Sequence, residues 1–197
     1  MIEDVVEAIR AGKPVLLPTD TVYGLCADAH SEEAVRCLYG LKGRAELQPT
    51  ALIAASVEAV YAALPELHDR PLLTGPYTLI VRNPRRRFRW LTGERPETIG
   101  VRVPDLVDDV RVVLDRVGVV AATSANLPGG PDPRRLDDVP RQIRAGCAGE
   151  IDGGELPGTP STVIDLTRDE PIVLREGAVS AEEALRRVSD ARAAARG

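Results

Sequence analysis

A chain of 197 residues and 21.2 kDa has the length of a single domain. Its 44% hydrophobic residues suffice for a buried core, and a net charge of -5 opposes a broad nucleic-acid surface while leaving room for a local basic patch. With aromatics at only 3%, that core has to come from Val, Leu, Ile and Ala.

The elements alternate along the chain. Ile2, Val5, Val6 and Ile9 follow a helical period that Gly12 stops, and Val15–Leu17 reads as a short strand ended by Pro18. Ser31 is placed to cap a helix with Glu32 and Glu33 in its first turn and Ala34, Val35 and Leu38 facing inward. A strand at Ala51–Ala54 leads to a second cap, Ser56, and a helix carrying Val57, Val60, Tyr61 and Leu64. Strands follow at Thr78–Val81 and Ile99–Val103. Leu106, Val110, Val113, Leu114 and Val117 share one face of a helix that runs into a buried strand, Val119–Ala122. Beyond the Pro/Gly-rich loop Leu127–Pro133 comes a short helix near Val139–Ala145, with Pro140 in its first turn and Gly146 at its end. Thr162–Leu166 and Ile172–Leu174 are late strands, and Ser180-Ala-Glu-Glu183 opens a last helix. Strands interleaved with helices imply one α/β (α+β) domain over residues 1–189, with a frayed tail at 190–197.

Cys26, Cys37 and Cys147 are odd in number and form no CxxC pair, so free thiols in a reducing compartment are expected rather than a disulfide framework. His30 and His68 lie too far apart for a helical zinc pair, and no metal site is expected from the side chains. The N-terminus has neither a basic leader nor an apolar run, and no stretch is long enough to span a bilayer; a cytoplasmic protein without a membrane contact is expected.

Chemistry-bearing residues cluster in the connections. Pro18-Thr-Asp-Thr-Val-Tyr-Gly-Leu25 is either a strand-end turn whose side chains satisfy their own backbone or the rim of a pocket for a small polar ligand. Lys13 and Lys42 are the only lysines. Lys42 and Arg44 flank a glycine, so both could aim at one anion; the competing reading is favourable charge at a helix C-terminus. Thr123-Ser-Ala-Asn126 places hydroxyl and amide groups at the end of a strand, where open sheets bind ligands. Ser161 repeats that design, and Arg102 and Arg175 are strand-borne arginines that need an anion or solvent. The run Arg82–Trp90 is either an RNA-binding loop or a solvated one. No P-loop, GxGxxG, HExxH or Ser/His/Asp arrangement is present.

In this order, Pro18–Leu25, Lys42-Gly-Arg44, Gly75-Pro76, Val101-Arg-Val-Pro104, Ser124-Ala-Asn126, Ser161-Thr-Val163 and Leu174-Arg-Glu-Gly177 resemble the YrdC family of threonylcarbamoyl-AMP synthases. The resemblance spans about Val5 to Gly177 and the short, single-domain form of the family. It implies a twisted mixed β-sheet with flanking helices around a concave, positively charged pocket. It also implies an enzyme that makes threonylcarbamoyl-adenylate and pyrophosphate from L-threonine, bicarbonate and ATP with Mg2+, feeding a tRNA-modifying threonylcarbamoyl transferase complex. Thr21, Arg102, Ser124 and Ser161 would then hold threonine, with Lys42, Arg44, Asn126 and Arg175 on the nucleotide and Lys42 and Arg44 as the catalytic pair. The sequence departs from the family pattern at Ala45, Gln48, Thr50, Ile53 and Leu73, mostly on the threonine side. Two alternatives remain open at this point: an RNA-binding or ribosome-associated module contacting tRNA or double-stranded RNA, and a carbamoyl-adenylate enzyme with another acceptor.

Overall fold

The computed structural model describes residues 1–45, 47–68 and 70–195. Its centre is one eight-stranded mixed sheet in the order β1-β2-β6-β3-β5-β4-β7-β8. The strands are β1 (Val15–Pro18), β2 (Tyr23–Asp28), β3 (Ala51–Ala54), β4 (Tyr77–Arg82), β5 (Thr98–Arg102), β6 (Val119–Ser124), β7 (Thr162–Asp165) and β8 (Ile172–Arg175). The pairs β3–β5 and β4–β7 are parallel and all others antiparallel. The helices are α1 (Ile2–Arg10), α2 (Glu32–Lys42), α3 (Val57–Ala63), α4 (Asp108–Val117), α5 (Arg141–Ala145) and α6 (Ala181–Ala194).

The expected caps are in place. Ser31, Ser56 and Ser180 accept the backbone N–H of Ala34, Ala59 and Glu183, each satisfying a donor that a helix start leaves orphaned. The helix at the C-terminus runs to Ala194, five residues past Ser189, where fraying is expected to begin; residues 196–197 of that expected tail lie outside the described residues. Strand β2 is the element that the sequence reading lacks. Five of its six residues are buried, and it lies between β1 and β6 with both faces covered, so it shows no alternation of apolar and polar residues.

Alternation along the strands divides the core in two. Leu25, Ala27, Leu52, Ala54, Leu79, Ile99, Val101, Ala121 and Ile164 point to one face, under α2, α3, α5 and α6. Val15, Leu17, Cys26, Ile53, Val120 and Ala122 point to the other, under α1 and α4. Those two helices cover only part of their face. What they leave bare carries small or polar residues, Gly24, Ala51, Gly100 and Thr78, and forms a hollow instead of more core. Among the described residues no helix is long and apolar enough to cross a membrane.

Candidate functional site

The bare part of the sheet is the floor of a cavity of about 320 Å3. Gly100 sits in its middle: a Cβ there would lie 3.5 Å from the Ile80 side chain and 3.7 Å from Ala51, filling the hollow without striking backbone closer than ordinary contact. Walls come from the loop after β1 (Thr19, Thr21), the loop after α2 (Arg44, Thr50), the end of β6 (Thr123, Ser124) and the segments Pro160–Ser161 and Arg175. Of the eight residues that the sequence singles out, Thr21, Arg44, Arg102, Ser124, Ser161 and Arg175 line this one cavity.

The loop after β1 combines both readings of its sequence. Thr19 Oγ1 donates to the Val22 carbonyl at 2.8 Å and accepts the N–H groups of Thr21 and Val22 at 3.3 Å, so it satisfies its own turn. The same turn presents the Thr21 hydroxyl 2.8 Å from a terminal nitrogen of Arg102. Arg102 is 7% exposed and its guanidinium also binds Asp20 through that nitrogen, while Asp20 accepts the N–H of Asp105 at 3.1 Å. Burial draws the Arg102 guanidinium below the ordinary arginine range and nearby Arg175 adds to this, whereas Asp20 opposes it. Its Nε is buried and makes no hydrogen bond. A buried guanidinium with an open donor, one edge held by a carboxylate, is a ready partner for an incoming anion.

On the far wall, Arg44 donates to Thr123 Oγ1 at 3.0 Å and to the Pro49 carbonyl at 2.5 Å, which leaves its buried Nε open. Desolvation pulls its affinity for a proton down too. Thr50, also lining the cavity, has a buried hydroxyl with no partner. Arg175 reaches back along β8 to the Ser161 carbonyl at 2.8 Å, and Ser161 and Thr78 hydroxyls are 2.7 Å apart. Three guanidinium groups thus share one cavity, against a single lining carboxylate among the described residues, Asp132.

Lys42 and Asn126 are placed differently from the expectation. Gly43 takes a left-handed conformation (φ 66°) at the end of α2, which sends Lys42 and Arg44 in different directions. The Lys42 ammonium turns inward and donates to the carbonyls of Ser124 and Asn126 at 2.6 and 2.8 Å and to Asn126 Oδ1 at 2.6 Å. Asn126 in turn accepts the Ser124 hydroxyl at 2.7 Å and donates to the Gly130 carbonyl at 2.7 Å. Both residues stand behind the cavity wall and order the loop after β6. Burial, with Arg44 beside it, lowers the Lys42 pKa to about 8, and Asp132 works the other way. Thr78 and Asp132 are cavity residues that the sequence reading did not assign to the site, while Thr123 entered it within the Thr123–Asn126 motif and Thr50 only as a departure from the family pattern. A polar residue on a strand face, for Thr78, or in a loop, for Asp132, is the only signal they carry, and it is shared with many solvated positions.

The arginine run is a tight turn. Asn83, fully buried, donates to the carbonyls of Arg87 and Pro96 and accepts the Arg87 N–H, while Phe88 is buried and the Trp90 indole donates to the Ala29 carbonyl. Arg85, Arg86 and Arg89 face outward, and Arg87 pairs with Glu66 at 3.4 Å. None of them lines the cavity.

A threonylcarbamoyl-AMP synthase of Pyrococcus abyssi is 35% identical over 89% of this chain, which spans 53% of that protein's length. A putative threonylcarbamoyl-AMP synthase of Mycobacterium tuberculosis is 34% identical over 92% of the chain and is itself covered over 86%. The crystal structure of Pyrococcus abyssi Sua5 complexed with L-threonine superposes with a TM-score of 0.82 at 34% identity, covering 95% of this chain and 56% of that one. A family model described as "Telomere recombination", covering the Sua5, YciO and YrdC proteins, matches residues 7–177. The chain belongs to the Sua5/YciO/YrdC family.

Proposed function

We propose that this protein is a threonylcarbamoyl-AMP synthase, a nucleotidyltransferase that joins L-threonine, bicarbonate and ATP into threonylcarbamoyl-adenylate with release of pyrophosphate. The observation that carries this reading is the meeting of Arg102, Arg44 and Arg175 in one cavity, two of them with open buried donors. The substrates bring a carboxylate, a carbamate and a triphosphate, all anions. The threonine amine attacks bicarbonate carbon and water leaves, giving a carbamate. A carbamate oxygen then attacks the α-phosphorus, and the bond to the β-phosphate oxygen breaks as pyrophosphate departs with the electron pair. Positioning and charge neutralisation do most of this work, which suits a site with no histidine in its lining among the described residues.

In this reading Arg102 receives the threonine carboxylate beside Asp20, and Thr21, Ser161 and Ser124 hold its polar groups. Arg44 and Arg175 face the phosphates, and Lys42 with Asn126 shapes the wall at the end of β6. Magnesium would arrive on the triphosphate, with Asp132 as the lining carboxylate free to meet it; a metal held mainly by phosphates needs no protein cage. Three free thiols suit a cytoplasmic protein. The product would pass to a tRNA-modifying threonylcarbamoyl transferase complex.

The apolar lining beside Arg102, Ile53 with Ile80 and Val163, favours a second reading in which the acceptor is a different aliphatic amino acid. Pyrophosphate release from ATP and bicarbonate, with each amino acid in turn, separates the two. Threonine-dependent release that disappears in Arg175→Ser supports the proposal, and release indifferent to threonine, or none, overturns it.

A further inference from the structure

A second hollow, wider than the candidate site, lies away from it. Strands β4 and β7 run in parallel, starting at the cavity with Thr78 and Ser161 beside it. At their other ends Arg82 and the segment after β7 line a separate cleft of about 740 Å3, together with Arg70, Arg168 and Arg192. Among the described residues two carboxylates, those of Glu66 and Asp169, share this lining. Glu66 lies 3.4 Å from Arg87 without a hydrogen bond between them, and the exposed Asp169 offers its backbone carbonyl to Arg192 at 2.9 Å while its carboxylate stays in the cleft.

These four guanidinium groups are oriented, and the two carboxylates offset only part of their charge. Arg82 donates to the Thr167 carbonyl at 2.9 Å, so a main-chain oxygen holds it, as another holds Arg192. The carboxylate nearest Arg168 is Asp165, 4.0 Å away, which already accepts the N–H and hydroxyl of Thr167 at 2.9 and 2.6 Å. On a protein of net charge -5, four arginines at one spot are a local reversal of sign. Beside them, sharing Arg70, Arg82 and Arg192, is an aliphatic hollow of about 50 Å3 between Leu72, Leu73, Val81 and the Val188 and Ala191 side of α6. Neither lining contains an aromatic ring among the described residues. Single-stranded nucleic acid is held by charge together with stacking on aromatic faces, and here there is nothing to stack on. An aliphatic floor under a cationic rim matches a different ligand.

We propose that this cleft docks an acidic segment of a partner protein, which seats a leucine or isoleucine in the hollow and lays Asp or Glu side chains against Arg70, Arg82, Arg168 and Arg192. Charge complementarity sets the approach and the rate, and the aliphatic anchor sets the register. The partner would sit across β4 and β7 from the cavity, clear of its mouth. This docking site does not rest on the proposed reaction, and either can fail without the other.

The test is selection from a random peptide library against the whole protein, followed by fluorescence anisotropy with the selected peptides. Arg70→Ser and Arg168→Ser are combined as the probe variant, because among the described residues neither side chain holds a main-chain carbonyl in place; thermal unfolding at the wild-type temperature confirms an intact fold. The selected peptides are expected to carry an aliphatic residue between acidic ones. The double variant, and separately a serine in place of the peptide's aliphatic residue, should each weaken binding roughly tenfold, and added salt should weaken it further. The proposal is overturned if the selected peptides lack acidic residues, or if the double variant binds them as the wild type does. It is equally overturned if no peptide is selected, or if tRNA binding is lost in that variant while no acidic peptide competes for the cleft, which would make it an RNA surface.

Discussion

One ammonium group, that of Lys42, holds three oxygens of the loop after β6 at 2.6–2.8 Å, and a neutral amine has one donor fewer. With its pKa lowered to about 8, the group loses its proton inside the range in which the protein would work. Nucleotide affinity should therefore fall as pH rises through about 8 in the wild type, whereas Lys42→Met should bind more weakly at pH 7 and show no such step. Fluorescence titration with an ATP analogue across pH reads both. Stability runs the other way: the unfolded chain holds this proton more tightly than the folded one, so the titration of Lys42 adds to stability as pH climbs from about 8 towards the ordinary lysine value. Asp20 supplies a second test. Its removal in Asp20→Ala leaves the buried Arg102 charge with only the Thr21 hydroxyl, a loss of about 3 kcal/mol in urea denaturation. L-Threonine should recover part of that loss, since its carboxylate would replace the missing one; a variant as stable as wild type would remove Asp20 from the design.

Strand β5 shows how an element divides stability from function. Gly100→Val introduces a residue that favours strands, at ordinary contact distance from its neighbours, so the unfolding temperature should stay close to wild type. Its methyl groups would occupy the cavity, and nucleotide and threonine binding should drop by roughly tenfold or more. A large loss of stability instead would mean that the floor of the cavity is already packed. Most elements were legible from sequence because one face of each is buried: the caps at Ser31, Ser56 and Ser180 and the strand Ala51–Ala54 stand where the pattern places them. Strand β2 was not, because burial on both faces erases the alternation and because Gly24 weakens a strand reading. The turn Asn83–Arg87 illustrates the same limit. Arg86 and Phe88 adopt left-handed backbone angles (φ 52° and 49°) that only the hydrogen bonds of Asn83 and the packing of Phe88 explain. Since Arg85, Arg86 and Arg89 lie on the outside of that turn, changing all three to Ser should leave ATP binding intact. Equilibrium binding of ATP to the triple variant checks this, and a clear loss would place the turn in the site.

At the scale of the whole molecule, the site exists because two layers are unequal. Helices α2, α3, α5 and α6 close one face of the sheet, and α1 and α4 close only part of the other. Six of the eight residues that the sequence singled out converge on the remainder, although they are spread from Thr21 to Arg175. The direction of Lys42 was not legible, because it depends on a left-handed Gly43 and on carbonyl acceptors 82 and 84 residues away along the chain. Asp132 was hidden for a similar reason: a loop position acquires a role only when the sheet brings it to the same rim. The central claim, that this cavity joins an amino acid to a nucleotide through bicarbonate carbon, is tested most directly with isotopically labelled bicarbonate. After incubation with ATP, magnesium and L-threonine, the label should appear in an adenylate by mass spectrometry. It should require both ATP and threonine and should be absent with Arg102→Ala. Label entering an adenylate without threonine, or no labelled adenylate from a folded protein with all substrates present, would contradict the account.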